Sequence, residues 1–142
     1  MGKINYARVF LGGLLAGVIF IVGGFFTNGI VLGRDWEAAM KALGHTMPSS
    51  GLVIFVIWGF LAGFSVLWLY AAARPRYGAG AKTAAKIGIA YWFIAHALPS
   101  LGQWGFGLFP KRLIVISTLA GLVEAVVASV FGAALYKEKT AE

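Results

Sequence analysis

The chain has 142 residues, enough for one domain, of which 60% are hydrophobic and 12% are charged. Because soluble domains carry about twice this share of charged residues, the composition excludes a soluble globular protein and indicates an integral membrane protein. The net charge of +7 does not indicate a nucleic-acid partner, since the Lys and Arg residues lie in short gaps between apolar runs, where they meet membrane lipids. The absence of cysteine excludes disulfides and thiol redox chemistry.

Four apolar runs are each long enough to cross a bilayer, whose apolar core of about 30 Å requires about 20 helical residues. They occupy residues 9–32, 52–73, 84–109 and 113–136. The first run exceeds the roughly 7–15 residues of a signal-peptide core, so we expect it to be retained. The sequence therefore predicts an all-α membrane protein, with four transmembrane helices in a bundle that forms a single transmembrane domain over residues 1–142.

The distribution of Lys and Arg predicts the orientation of this bundle. Eight basic residues flank the termini and the second connection: Lys3, Arg8, Arg74, Arg76, Lys82, Lys86, Lys137 and Lys139. Four lie in the other two connections: Arg34, Lys41, Lys111 and Arg112. The positive-inside rule then places both termini in the cytoplasm.

The connection after the first run predicts a short helix in the outer membrane interface. Asp35 can cap its start, Glu37 and Lys41 have the spacing of an i,i+4 ion pair, and Gly44 can end it. Trp36 lies on its apolar face, so we expect this helix to rest along the membrane surface.

Small residues at helical spacing predict where the helices approach one another closely, because helices in lipid associate through such positions. They are Gly13, Gly17, Gly59 and Gly63 in the first two runs, and Ala120, Ala128 and Gly132 in the fourth. Such faces serve either contacts within one chain or association of two copies. We favour contacts within the chain, and the spacing leaves both open.

Pro99 interrupts the third run near its middle and leaves the carbonyl of Ala95 without its helical donor, which predicts a kink. Gly102, Gly105 and Gly107 follow, so we expect the outer half of this run to be irregular. Irregular backbone at this depth is tolerated only where it is buried in protein or lines a wet cavity.

Two ionisable residues lie deep in the apolar runs. At 1.5 Å per residue, Glu124 and His96 lie about 17 and 20 Å from the outer ends of antiparallel runs, so we expect them to meet near the middle of the membrane. Four more polar side chains lie at this depth or nearer the outer surface: Asn28, Ser65, Ser100 and Gln103. His96, Ser100 and Gln103 are spaced at i, i+4 and i+7, and Asn28 is near enough in depth to meet Gln103, which predicts a polar path from the outer surface to an intramembrane site. Ser65 shares the depth of that site.

The role of Glu124 and His96 is open between three alternatives. They can form a structural hydrogen bond, as neutral groups or as an ion pair; they can handle a proton or a ligand; or they can contact a cofactor. The one cofactor compatible with these residues is a tetrapyrrole held by His96 alone, since two candidates do not complete a metal site. No catalytic motif is present, so no catalytic residue is predicted.

Three parts of the chain carry a resemblance to small bacterial four-helix membrane proteins. They are INYARV with GGLLAG (4–9 and 12–17), LYAAARPRYG (69–78) and LPSLG (98–102). The resemblance implies a location in the bacterial inner membrane and no particular activity. The chain is also similar to small multidrug transporters in having four helices and a membrane glutamate, although theirs lies in the first helix and their chains are shorter.

These observations favour a non-catalytic membrane protein, either an accessory subunit of a larger membrane complex or a bundle that associates with its own copies. The alternative is a small transporter or proton-coupled channel that uses Glu124 and His96. A membrane enzyme ranks below both, because the chain lacks a catalytic set.

Overall fold

The computed structural model describes residues 3–138, and within them the chain forms helices and no strand. Helix α1 (Tyr6–Gly24) continues as a π-helical segment (Phe25–Val31) and is followed by α2 (Gly33–Ala42) and α3 (Gly51–Tyr77). Helix α4 (Ala81–Trp92) continues through a second π-helical segment (Phe93–Ala97) into α5 (Leu98–Phe106), and α6 (Lys111–Ala134) is last.

Three of these helical stretches are long and apolar enough to cross a membrane: Tyr6–Val31, Gly51–Tyr77 and Lys111–Ala134. They correspond to the first, second and fourth predicted runs. The third predicted run is also helical, over residues 81–106, and it is as long as the others, but it is not among the stretches that are apolar enough. The reason is chemical, because His96, Pro99 and Gln103 replace apolar residues in its outer half.

The helix changes from α-helical to π-helical hydrogen bonding immediately before Pro99. The Leu98 amide donates to the carbonyl of Phe93, five residues earlier, so this turn accommodates a proline, which has no N–H to donate. The expectation of an irregular outer half is wrong: α5 is a regular helix, and Gly107, with a φ of 65°, ends it.

Helix α2 begins two residues before Asp35, which is therefore not its cap. Asp35 instead forms an ion pair of 2.9 Å with Arg112 at the start of α6. The Trp36 indole donates a hydrogen bond of 3.0 Å to the side chain of Asn28, and its ring packs edge-on against Phe109. These contacts fasten α2 to the ends of α1 and α6. Gly44 follows the helix with a φ of 73°.

Helices α1 and α3 cross at glycines. A Cβ atom added at Gly63 would overlap the backbone of Gly13 and Gly17, and one added at Gly59 would overlap Ile21. Phe60 and Phe64 of α3 lie against Gly17 and Gly13 in return. All four predicted glycines therefore lie in one helix crossing, where the backbones approach each other as small residues allow.

Helix α6 uses two neighbouring rows of small residues. Gly132 lies against Gly12 of α1, and a Cβ atom added there would be 2.7 Å from the Gly12 carbonyl oxygen. Ala128 is fully buried, whereas Ala120 is half-buried. The second row packs on α4 and consists of Gly121, Ala125 and Ser129.

The two termini and the α3–α4 connection meet at one end of the bundle, which we call the termini end. The Tyr136 hydroxyl accepts a hydrogen bond from the Asn5 amide (3.3 Å), and the Tyr70 hydroxyl accepts one from the Gly80 amide (3.0 Å). Both tyrosine rings are buried and pack edge to face, with their centroids 5.9 Å apart. Helix α2 lies at the opposite end, which we call the α2 end.

Candidate functional site

Glu124 lies on the side of α6 that faces α1. Its Oε1 atom accepts a hydrogen bond of 3.1 Å from the Thr27 hydroxyl. Its side-chain carbons lie against Gly23, where an added Cβ atom would be 2.8 Å from Glu124 Cγ. The absence of a side chain at Gly23 therefore makes room for the carboxyl group between the two helices.

Thr27 reaches Glu124 from the π-helical segment Phe25–Val31. A π-helical turn holds more residues than an α-helical turn, so it changes which side chains face the neighbouring helix. The next residue, Asn28, accepts the hydrogen bond from Trp36. The segment thus directs one polar side chain toward α6 and the next toward α2.

His96 lies on the other row of α6, against Gly121. A Cβ atom added at Gly121 would be 2.7 Å from His96 Nδ1. The rings of Trp58 and Tyr91 lie edge-on to the imidazole, with centroids 5.7 and 6.4 Å away. Its Nε2 atom is buried and has no hydrogen-bond partner within the described part of the chain.

A hydrogen bond between Glu124 and His96, one of the alternatives that the sequence leaves open, is therefore not formed. Glu124 bonds to Thr27 of α1, and His96 packs on Gly121, one turn of α6 away from Glu124. The two residues lie at neighbouring levels of α6, as their depths predicted. They face different helices because α4 and α1 pack on different rows of α6.

Ser100 contacts α6 close to Gly121, through Thr118. The Thr118 hydroxyl lies 2.6 Å from the Ile114 carbonyl and 2.7 Å from Ser100 Oγ. Because a hydroxyl has one proton, Thr118 donates to the carbonyl and accepts from the Ser100 hydroxyl. The Trp92 indole donates to the Thr118 carbonyl at 2.7 Å. Further along this interface, the buried Ser129 hydroxyl donates to the Ala84 carbonyl at 2.7 Å.

Three of the predicted polar residues lie elsewhere. Ser65 is exposed and donates to the Leu61 carbonyl of its own helix at 2.7 Å. Gln103 is exposed on α5. Asn28 bonds to Trp36 instead of approaching Gln103. The continuous path from the α2 end to Glu124 that we predicted is wrong, because each of these groups bonds locally or faces outward.

The described residues do not assemble a metal-ligand set, since no three His, Asp or Glu side chains come together between residues 3 and 138. The prediction that the chain has no cofactor, with a tetrapyrrole contact at His96 as the alternative, stays a prediction. An open groove of about 420 Å³ lies beside Glu124 between α1 and α6, and its walls are apolar. They are formed by Val18, Ile19, Val22, Gly23, Val123, the side chain of Glu124 and Val127.

Sequence reasoning missed four residues that shape this site: Gly23, Thr27, Gly88 and Gly121. A Cβ atom added at Gly88 would be 2.7 Å from the Ala125 carbonyl oxygen, so Gly88 lets α4 approach α6. Gly23 and Gly121 lie on helices that both contain further glycines, and glycine spacing alone does not say which residue faces which neighbour. Nothing in the sequence indicated that Thr27 would contact Glu124, because the direction of its side chain depends on the π-helical turn.

Comparisons of the chain with protein-family models, with curated proteins and with solved structures gave no match.

Proposed function

We propose that this chain is a non-catalytic integral membrane protein of four transmembrane helices that serves as a subunit of a membrane complex. The complex is formed with a partner protein or with further copies of the chain. In this proposal residues 81–106 form the fourth span, both termini are cytoplasmic, α2 lies in the outer interface, and the membrane is the bacterial inner membrane.

One observation carries the proposal: three polar side chains inside the bundle, other than His96, bond to neighbouring helices of the same chain. Glu124 accepts from Thr27, Ser100 is hydrogen-bonded to Thr118, and Ser129 donates to the Ala84 carbonyl. Each of these bonds joins two helices, as polar side chains do inside membrane bundles. They support a structural role for the polar residues. If these residues do not carry out chemistry or transport, we expect the protein to act by associating with other membrane proteins or with its own copies.

The proposal is tested on the full chain extracted from its native membrane with a mild detergent. We expect a defined assembly whose mass exceeds that of the 15.1 kDa chain, measured by light scattering or native mass spectrometry. Glu124→Gln should leave that mass unchanged, because the amide oxygen still accepts the Thr27 bond. A wild-type chain that is monomeric under these conditions would contradict the proposal.

A transporter or proton-coupled channel is the second candidate, and one observation favours it. His96 Nε2 is buried without a partner, and π-helical segments flank α6 at both Thr27 and His96. Such segments occur frequently at functional sites. Its test is proton flux into liposomes that contain the purified full chain. A flux that Glu124→Gln abolishes would favour transport, and the absence of flux would count against it.

A further inference from the structure

The termini end of the bundle gathers an unusual amount of positive charge. Within residues 3–138 it carries seven basic side chains: Lys3, Arg8, Arg74, Arg76, Lys82, Lys86 and Lys137. One acidic side chain, Glu138, accompanies them, and it pairs with Arg74 at 3.1 Å. Arg74 also lies over the Tyr136 ring, 5.6 Å from its centroid.

The α2 end has a different balance of charge. It carries four basic side chains, of which Arg112 pairs with Asp35 and Lys111 lies 5.4 Å from the centre of the Trp104 ring. Glu37 supplies a second carboxylate there. Acidic and aromatic neighbours therefore occupy much of the cationic surface at this end.

The basic groups of the termini end lie on one connected surface, because the buried tyrosines tie its segments together. Tyr136 binds the Asn5 amide beside Lys3 and Arg8, and Tyr70 binds the Gly80 amide beside Lys82. Edge-to-face packing of the two rings joins these contacts. The segments that carry these basic groups are therefore joined to one another at the termini end.

We infer that this surface binds the headgroups of anionic phospholipids. Its five exposed cations are Lys3, Arg76, Lys82, Lys86 and Lys137. They lie near the ends of the apolar helices α1, α3 and α6 or in the first two turns of α4, so a bilayer crossed by these helices would place its phosphates near them. A layer of anionic headgroups can contact cations all around the bundle at once. A compact soluble anion can contact only a few of them.

The experiment uses the full chain reconstituted in phosphatidylcholine vesicles that contain some phosphatidylglycerol. Brominated forms of either lipid quench the fluorescence of lipid-exposed tryptophans, including Trp68, which is 48% exposed on the half of α3 nearest the termini end. We expect the chain to prefer phosphatidylglycerol several-fold, about fivefold for each cation that contacts a headgroup. Because both leaflets contain the same lipids, the result does not depend on which way the chain faces.

A matched pair of double variants locates the effect. Lys82→Gln with Lys86→Gln should reduce the preference, whereas Arg34→Gln with Lys41→Gln at the α2 end should reduce it less, because fewer cations lie at that end. All four side chains are exposed, so neither pair is expected to disturb packing. Added salt should weaken the preference, as it does for exposed charges.

Three results would overturn the inference. The first is equal binding of both lipids by the wild-type chain. The second is an equal loss of preference in the two double variants, because the charge would then act without regard to place. The third is displacement of phosphatidylglycerol by inorganic phosphate at constant ionic strength, because a site for a free anion would explain the binding instead.

Discussion

The Thr27 hydroxyl donates a hydrogen bond of 3.1 Å to the Glu124 carboxyl group across the interface between α1 and α6. The carboxyl group thus contacts a neutral hydroxyl and lies against the backbone of Gly23. In this arrangement a glutamate can join two helices inside the membrane without a basic partner, because a hydroxyl satisfies an oxygen of either the acid or the carboxylate.

The first prediction concerns the strength of this contact. Glu124→Gln keeps an acceptor for Thr27 and should lower the stability of the bundle by no more than about 1 kcal/mol, the size of a typical hydrogen bond between membrane helices. Thr27→Val removes the donor and should cost a similar amount. Unfolding of the purified chain in mixed micelles by a denaturing detergent measures both variants.

The double variant Thr27→Val with Glu124→Gln decides whether these residues act on each other. If they do, its loss of stability should be smaller than the sum of the two single losses. Additive losses would mean that Glu124 has a different partner, and the structural explanation of this glutamate would then be wrong.

The second prediction concerns the glycines where α1 crosses α3. Gly63→Ala should destabilise the bundle by about 1–3 kcal/mol, because the new methyl group would overlap the backbone of Gly13 and Gly17 and force the helices apart. Gly24→Ala is the matched control, since Gly24 has no atom of another residue within 4 Å of the added Cβ position. It should be neutral or slightly stabilising, because alanine favours helix more than glycine does. Equal losses in the two variants would show that the helices do not cross at Gly63.

The helices themselves were predictable, because long apolar runs in lipid satisfy their backbone groups only as helices. The crossing of α1 and α3 was also accessible to sequence reasoning, since Gly13, Gly17, Gly59 and Gly63 have the spacing that brings two helix backbones together. The start of α2 was less accessible. Aspartate is a common helix N-cap, so the sequence suggested that role for Asp35. Its actual ion pair with Arg112 joins distant parts of the chain, which local sequence does not reveal.

The sequence predicted how far along the helices Glu124 and His96 lie, but it did not predict which side chains they contact. Counting residues placed Glu124 and His96 at neighbouring levels, and both do pack at one stretch of α6. Which helix each residue faces depends on rotation about the helix axis, and the two π-helical segments change that rotation by adding a residue to a turn. A calculation that assumes α-helical geometry throughout therefore cannot identify Thr27 as the partner of Glu124.

The third prediction concerns the unpaired nitrogen of His96. His96→Leu has a similar volume and removes a buried polar atom that lacks a partner, so it should not destabilise the bundle and should stabilise it by up to about 1 kcal/mol. Ser129→Ala provides the comparison, because it removes a satisfied hydroxyl from the same interface between α4 and α6. It should cost about 0.6 kcal/mol.

Unfolding in the same mixed micelles ranks these two variants against the wild-type chain. If His96→Leu lost more stability than Ser129→Ala, His96 Nε2 would have a partner in the folded protein, such as a water molecule or a ligand. That result would strengthen the transport alternative and weaken the structural explanation of the polar residues.

The last prediction concerns the number of spans and their direction, which follow from the basic residues and from the helical stretch 81–106. Reporter fusions after Ala79 and Ala141 should give a cytoplasmic signal, and fusions after Thr46 and Leu108 should give a periplasmic one. The pair Ala79 and Leu108 is decisive, because it flanks the stretch whose His96, Pro99 and Gln103 make it less apolar than the other three. Matching signals at these two positions would mean that residues 81–106 do not cross the membrane and that the chain has three spans. Opposite signals with the Ala79 fusion outside would keep four spans and reverse the orientation, which would show that the excess of Lys and Arg at the termini end does not decide the direction of insertion.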